Sequence, residues 1–100
     1  MNSAIRTDNK YKVVLENYGN IDYGQNPNRP LPQTKNALIM CTSLGEASKL
    51  CLDYINKYDL GSGNWGGNAG IVLDLNNKQV ARISYNGRIW DIKSGNLIKK

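Results

Sequence analysis

The stretch Gly61–Asp91, GSGNWGGNAGIVLDLNNKQVARISYNGRIWD, constrains this chain more than any other segment. A glycine-rich link, an apolar run, an alternating run and an Asn86-Gly87 turn follow one another without a break. Short runs rich in β-branched residues and bounded by turn residues read as strands. Strands joined by such short links pair as antiparallel neighbours. Gly70–Asp74 and Val80–Tyr85 are therefore expected as strands, with another formed by Arg88-Ile89-Trp90 and the residues after it.

Turn chemistry then predicts a register. Asn-Gly favours a two-residue type I′ turn. Tyr85 would face Arg88, Ile83 would face Trp90 and Ala81 would face Ile92. Arg82 would meet Asp91 as a cross-strand ion pair, worth under about 1 kcal/mol if exposed. The core face is expected to hold Ala81, Ile83, Tyr85, Trp90 and Ile92. At Asn76-Asn77 a two-residue loop would pair Val72 with Ala81 and turn Ile71 and Leu73 away from the core. An odd count, through a three-residue loop or a bulge, keeps Ile71, Leu73, Ala81 and Ile83 on one face. Val72, Val80 and Ile89 then share the opposite face and form an aliphatic row, a candidate self-association surface.

Upstream, Tyr11–Glu16 alternates and reads as a first strand. Residues 18–36 hold Gly19, Gly24, Pro27, Pro30 and Pro32 with five asparagine or glutamine residues up to Gln33, and keep no period. A loop this long is uncommon and often functional. Its Tyr18, Ile21, Tyr23 and Leu31 are too apolar for a free linker, so a partly packed loop is expected. Ala37–Cys41 is a continuous apolar run, consistent with a buried strand. Ser43 and Glu46 form a capping-box pattern for a helix running to about Tyr58. Leu44, Ala47, Leu50, Cys51, Tyr54, Ile55 and Tyr58 lie on one stripe of that helix, and Gly61 is its expected C-cap. Trp65, in the link that follows, is expected to pack over the core. The order is ββαβββ: an α+β fold with an antiparallel sheet of about five strands and one amphipathic helix on one face.

One hundred residues suffice for a single domain, here 1–100, with residues 1–9 polar and expected to be loose. No apolar run approaches the ~20 residues of a membrane span. The N-terminus lacks the apolar stretch of a signal peptide, so a cytoplasmic location is expected. Net charge is +5, with the cations scattered and a Lys99-Lys100 doublet at the end. There is no histidine, which removes the commonest general base and zinc ligand. Cys41 and Cys51 sit in apolar settings and read as reduced core residues; no metal site and no cofactor is expected.

Four candidate sites follow. Tyr18, Tyr23 and Arg29 in the long loop form a possible recognition surface. Gly61–Gly67 resembles a phosphate cradle only in composition, because it follows a helix end rather than opening one. Arg82 and Arg88 with Tyr85 and Trp90 have the residue types of a nucleic-acid face. The expected register scatters them over two faces. Catalysis by Cys51 lacks an activating base, and no two of the eight carboxylates are forced together by spacing.

The block Asn64-Trp65-Gly66-Gly67 with Val80–Asp91 (VARISYNGRIWD), together with the helix from Ala47 to Leu60, resembles a group of short bacterial proteins of unknown function. Such proteins occur in accessory DNA: plasmids, prophages and integron gene cassettes. The resemblance covers roughly half the chain. It implies a cargo gene of a mobile element and transfers no catalytic or binding residue. Taken together, the sequence points to a small non-enzymatic binding protein, a homodimer acting by protein–protein contact. A nucleic-acid-binding module is the alternative.

Overall fold

The alternation of Tyr11–Leu15 (β1) sends Val13 and Leu15 to one side, both buried, and Lys12 and Val14 to the other. Around β1 the computed structural model, which describes residues 8–98, builds a six-stranded sheet in the order β2-β1-β3-β4-β5-β6. Its strands are β2 (Ala37–Cys41), β3 (Ile71–Asp74), β4 (Gln79–Ile83), β5 (Ile89–Asp91) and β6 (Leu97–Ile98). Every neighbouring pair is antiparallel. The helix α1 (Leu44–Lys57) lies between β2 and β3 in sequence and packs on β1, β2 and β4. The α+β architecture is thus as expected, with β6 as a sixth strand. Most of the start expected to be loose, residues 1–7, and the Lys99-Lys100 doublet lie outside the described residues.

Helix α1 begins where Ser43 accepts a hydrogen bond from the Glu46 N–H at 3.0 Å. The Glu46 carboxylate reaches one residue beyond the expected partner and accepts from Thr42 N–H at 2.7 Å. The helix stops before Gly61. Asp59 takes the left-handed conformation (φ 52°), and N–H groups of Asp59 and Leu60 bond to the carbonyls of Asn56 and Ile55. This is a Schellman ending, with aspartate in the place usually held by glycine and buried Leu60 closing it.

Both C-terminal hairpins depart from the expected register. Ile83 pairs with Ile89, Arg82 with Trp90, and Ala81 with Asp91. The loop is three residues, Tyr85-Asn86-Gly87, closed by Ser84 N–H to Arg88 C=O at 2.9 Å. A type I′ turn needs positive φ at both central residues. Gly87 has it (φ 85°), whereas Asn86 is not among the non-glycine residues that do. The Asn86 side chain instead accepts from Arg88 N–H at 3.2 Å, and Gly87 serves as the left-handed residue of a bulged three-residue turn. The one-residue slip exchanges the two faces. Ile89 enters the core, and Trp90 leaves it. Tyr85 stays on the helix side by donating to Leu60 C=O at 2.7 Å. Ile92 is exposed in the β5–β6 loop. The expected Arg82–Asp91 ion pair is absent, because the two residues point to opposite sides.

The β3–β4 hairpin contains both devices that were alternatives. Leu75-Asn76-Asn77 is a three-residue loop, with Asn77 at φ 67° and Asp74 N–H bonded to Lys78 C=O. A bulge then shifts the register between Val72 and Leu73, leaving Val80 as the extra residue. The two odd steps cancel, so Val72 pairs with Ala81. The row expected on the open face is therefore dispersed. Val72 and Ile89 are buried in the core, and Val80 is half-buried against it. They cannot form a self-association patch. The core is Val13, Leu15, Cys41, Val72, Ala81, Ile83 and Ile89 of the sheet against Ala47, Cys51, Tyr54 and Ile55 of α1. Trp65 packs over it as expected and donates to Ile83 C=O at 2.9 Å.

Candidate interaction surfaces

Among the described residues, one helix covers one side of the six strands and no helix packs on the other, where Ile71 is nonetheless buried. The register carries a single cross-strand row over that open side: Leu38, Val14, Ile71, Arg82, Trp90 and Leu97, one from each strand. At the ~4.8 Å strand spacing it spans about 24 Å. Lys12 lies beside the row on β1, opposite Leu73. Arg88, opposite Ser84, adds a third cation on the same side. The Trp90 indole N–H donates to Ser84 Oγ at 3.2 Å, which ties the ring's edge to the residue after β4. Among the described residues, no carboxylate lies within ion-pairing distance of Arg82 or Arg88. Lys12 donates to the Asn77 side chain. Glu16, which continues the alternation of β1, is a carboxylate at an open-side position next to the described strands. It accepts from Tyr18 Oη at 2.8 Å.

The sequence reading had separated Arg82 from Trp90, and the observed register brings them side by side. The signal that could have found this was Gly87 alone. A glycine at the third loop position suits a bulged three-residue turn as well as Asn-Gly suits a two-residue one.

A second surface is the sheet edge at β2. This strand pairs with β1 and, among the described residues, has no neighbour on its other side. Leu38, Ile39 and Met40 are 53%, 37% and 46% exposed, on alternating sides of an edge without charge or proline. The buried strand expected over Ala37–Cys41 is thus an exposed edge, with Cys41 fully buried at its end. Beside it, between β2 and α1, runs an apolar groove of about 360 Å³ lined by Leu15, Ile39, Leu50, Tyr54 and Tyr58.

The long loop is anchored at its base and exposed further along. Tyr18 pins it: its hydroxyl bonds Glu16 and its ring packs close to Gly67. Burial, reinforced by the Glu16 hydrogen bond, raises the Tyr18 hydroxyl above the ordinary tyrosine value. Tyr23 and Ile21, on one 3-10 turn, are 77% and 72% exposed. Arg29 is exposed and lines a small cavity of about 290 Å³ within the loop, with Gln25, Pro30 and Leu31. Of the three candidate loop residues, Tyr18 is thus structural, while Tyr23 and Arg29 remain available to a partner.

Sequence reasoning missed Asn17. It is fully buried where β1, the loop and α1 meet. Its Nδ2 donates to Thr34 Oγ1 (2.8 Å) and Tyr54 Oη (2.9 Å), and its Oδ1 accepts from Leu31 N–H (2.8 Å).

Cys41 and Cys51 are free and buried. Burial, with Cys41 nearby, pushes the Cys51 thiol up to about 12, so it carries no thiolate at neutral pH. Among the described residues, no three metal-ligating side chains come together. No helix is long and apolar enough to cross a membrane. Among the described residues, the fold is an α+β layer pair, with α1 on one face of the sheet and β2 and β6 at its edges. No family model, curated protein or solved structure matches the chain.

Proposed function

We propose that this chain is a small non-enzymatic binding protein that acts through protein–protein contact, and that its first partner is a second copy paired along β2. The observation that carries this is the edge itself. An edge strand presents a row of unpaired backbone N–H and C=O groups, and natural edges are usually blunted by charge, proline or a bulge. Residues 37–41 have no charge and no proline. Two copies related by a two-fold axis would pair their β2 strands antiparallel and continue one sheet through both protomers. Ile39 and its symmetry mate would close the grooves beside α1, and Leu38 and Met40 would meet their counterparts on the open side. The high pKa of Cys51 and the missing histidine support a role without covalent or general-base chemistry. The resemblance to cassette-borne proteins supports a cargo gene of a mobile element; the β2 contact does not depend on it.

Sedimentation equilibrium over a micromolar concentration series tests the dimer. The wild type is expected to dimerise. The double variant Leu38→Lys, Met40→Lys is expected to weaken association at least tenfold, about 1.4 kcal/mol, with an unchanged circular dichroism spectrum. A wild type that stays monomeric, or a dimer indifferent to the double variant, would sink the proposal.

A further inference from the structure

We infer that the open sheet face is a binding surface for single-stranded nucleic acid, with Trp90 stacking a base and Arg82, Lys12 and Arg88 holding the flanking phosphates. The inference is independent of the β2 contact and uses different residues. Three features of the face support it.

The first is the sign of its charge. Lys12, Arg82 and Arg88 occupy open-side register positions, and no carboxylate neutralises either arginine. Asp74 and Asp91 take register positions on the helix side, and Asp53 pairs with Lys49 on the exposed surface of α1. Against these three cations stands Glu16 at an open-side position, and its carboxylate accepts from Tyr18 Oη. A polyanion is the complementary partner. A second copy laid face to face would bring these arginines against themselves, which disfavours that occupant.

The second is the aromatic. Trp90 is half-buried, its edge tied to Ser84, and its cross-strand neighbour is Arg82. An indole on a sheet beside a guanidinium can offer a π-face to an unpaired base and a cation to its phosphate. A duplex keeps its bases stacked inside and cannot use that face.

The third is shape. The face is built of six strands, with half-buried Val14 and Leu73 and buried Ile71 in its middle. Among the described residues, it lacks the protruding helix or ribbon that reads a major groove. A flexible strand can lie across it.

The experiment titrates the full-length protein with fluorescein-labelled oligo-dT, oligo-U and a random duplex over a salt series. Single strands are expected to bind at low salt, tighter than the duplex, and to weaken steeply as salt rises. Trp90→Phe is expected to cost roughly tenfold in single-strand affinity while leaving the salt slope unchanged. Arg82→Gln is expected to flatten the log–log salt slope by about 0.7. Tryptophan emission is a second readout. Trp65 is buried under the core, so quenching on binding should come from Trp90 and vanish in Trp90→Phe. No binding at low salt would overturn the inference. So would equal affinity for duplex with Trp90→Phe unchanged, which means a bare charge effect. Dissociation of a homodimer by Trp90→Phe would assign the face to a second copy instead and also overturn it. The Leu38→Lys, Met40→Lys variant separates the two proposals: single-strand contacts at Trp90 should persist in it even if the dimer is lost.

Discussion

Asn17 ties three elements together with one side chain, and its environment leaves it few alternatives. Its amide is out of contact with water and bonds the loop at Leu31 and Thr34 and the helix at Tyr54. Removing the amide leaves the buried Tyr54 hydroxyl and the half-buried Leu31 N–H without this partner, and such groups cost more unpaired than the bond is worth paired. Asn17→Ala is therefore expected to lower stability by about 2–4 kcal/mol. Chemical denaturation checks it, and a loss below about 0.5 kcal/mol would remove Asn17 from this role. Nothing in the sequence marked Asn17. It follows an alternating strand, where a polar residue reads as the start of a loop, and its three partners lie 14, 17 and 37 positions away. Burial of polar groups is decided by such distant partners, which periodicity does not see. The helix stripe, by contrast, was legible, because its contacts repeat within the helix itself.

At the scale of elements, the hairpins show why register is the least legible quantity. The side-chain period of a strand is two, so one extra residue reverses every assignment downstream. The sequence identified β3, β4 and β5 and both turns. It also recognised that the β3–β4 connection contains an odd step. It could not count two odd steps, because a bulge at Val80 has no residue-type signature. The error at Asn86-Gly87 was of the same size and hid the neighbourhood of Arg82 and Trp90. Where the backbone itself demands glycine, the prediction is sharper. Gly70 has φ 81°, and a Cβ there would lie 2.2 Å from the Ile83 carbonyl oxygen that Trp65 also binds. Gly70→Ala is expected to cost about 2–4 kcal/mol through backbone strain and that clash. A thermal melt reads it out, and a variant as stable as wild type would mean that β3 and β4 are not held this close.

At the scale of the molecule, the order β2-β1-β3-β4-β5-β6 separates neighbours in space from neighbours in sequence at one place only. Strands β3 to β6 are a local meander. Val13 of β1 meets Val72 of β3 across 59 positions, with the loop, β2 and α1 between them. β2 can join the sheet only through β1. The insertion of β1 is thus the step that closes the largest loop, and contacts of such long range are slow to form. Assembly should wait on it. Stopped-flow refolding is expected to show Val13→Ala acting mainly by slowing folding, whereas Ile98→Ala at the far end of the meander should mainly hasten unfolding. The reverse pattern would place nucleation in the meander alone. Until β1 arrives, the apolar β2 segment has no sheet to join, so the interval before closure is when this chain is most exposed to the wrong partner.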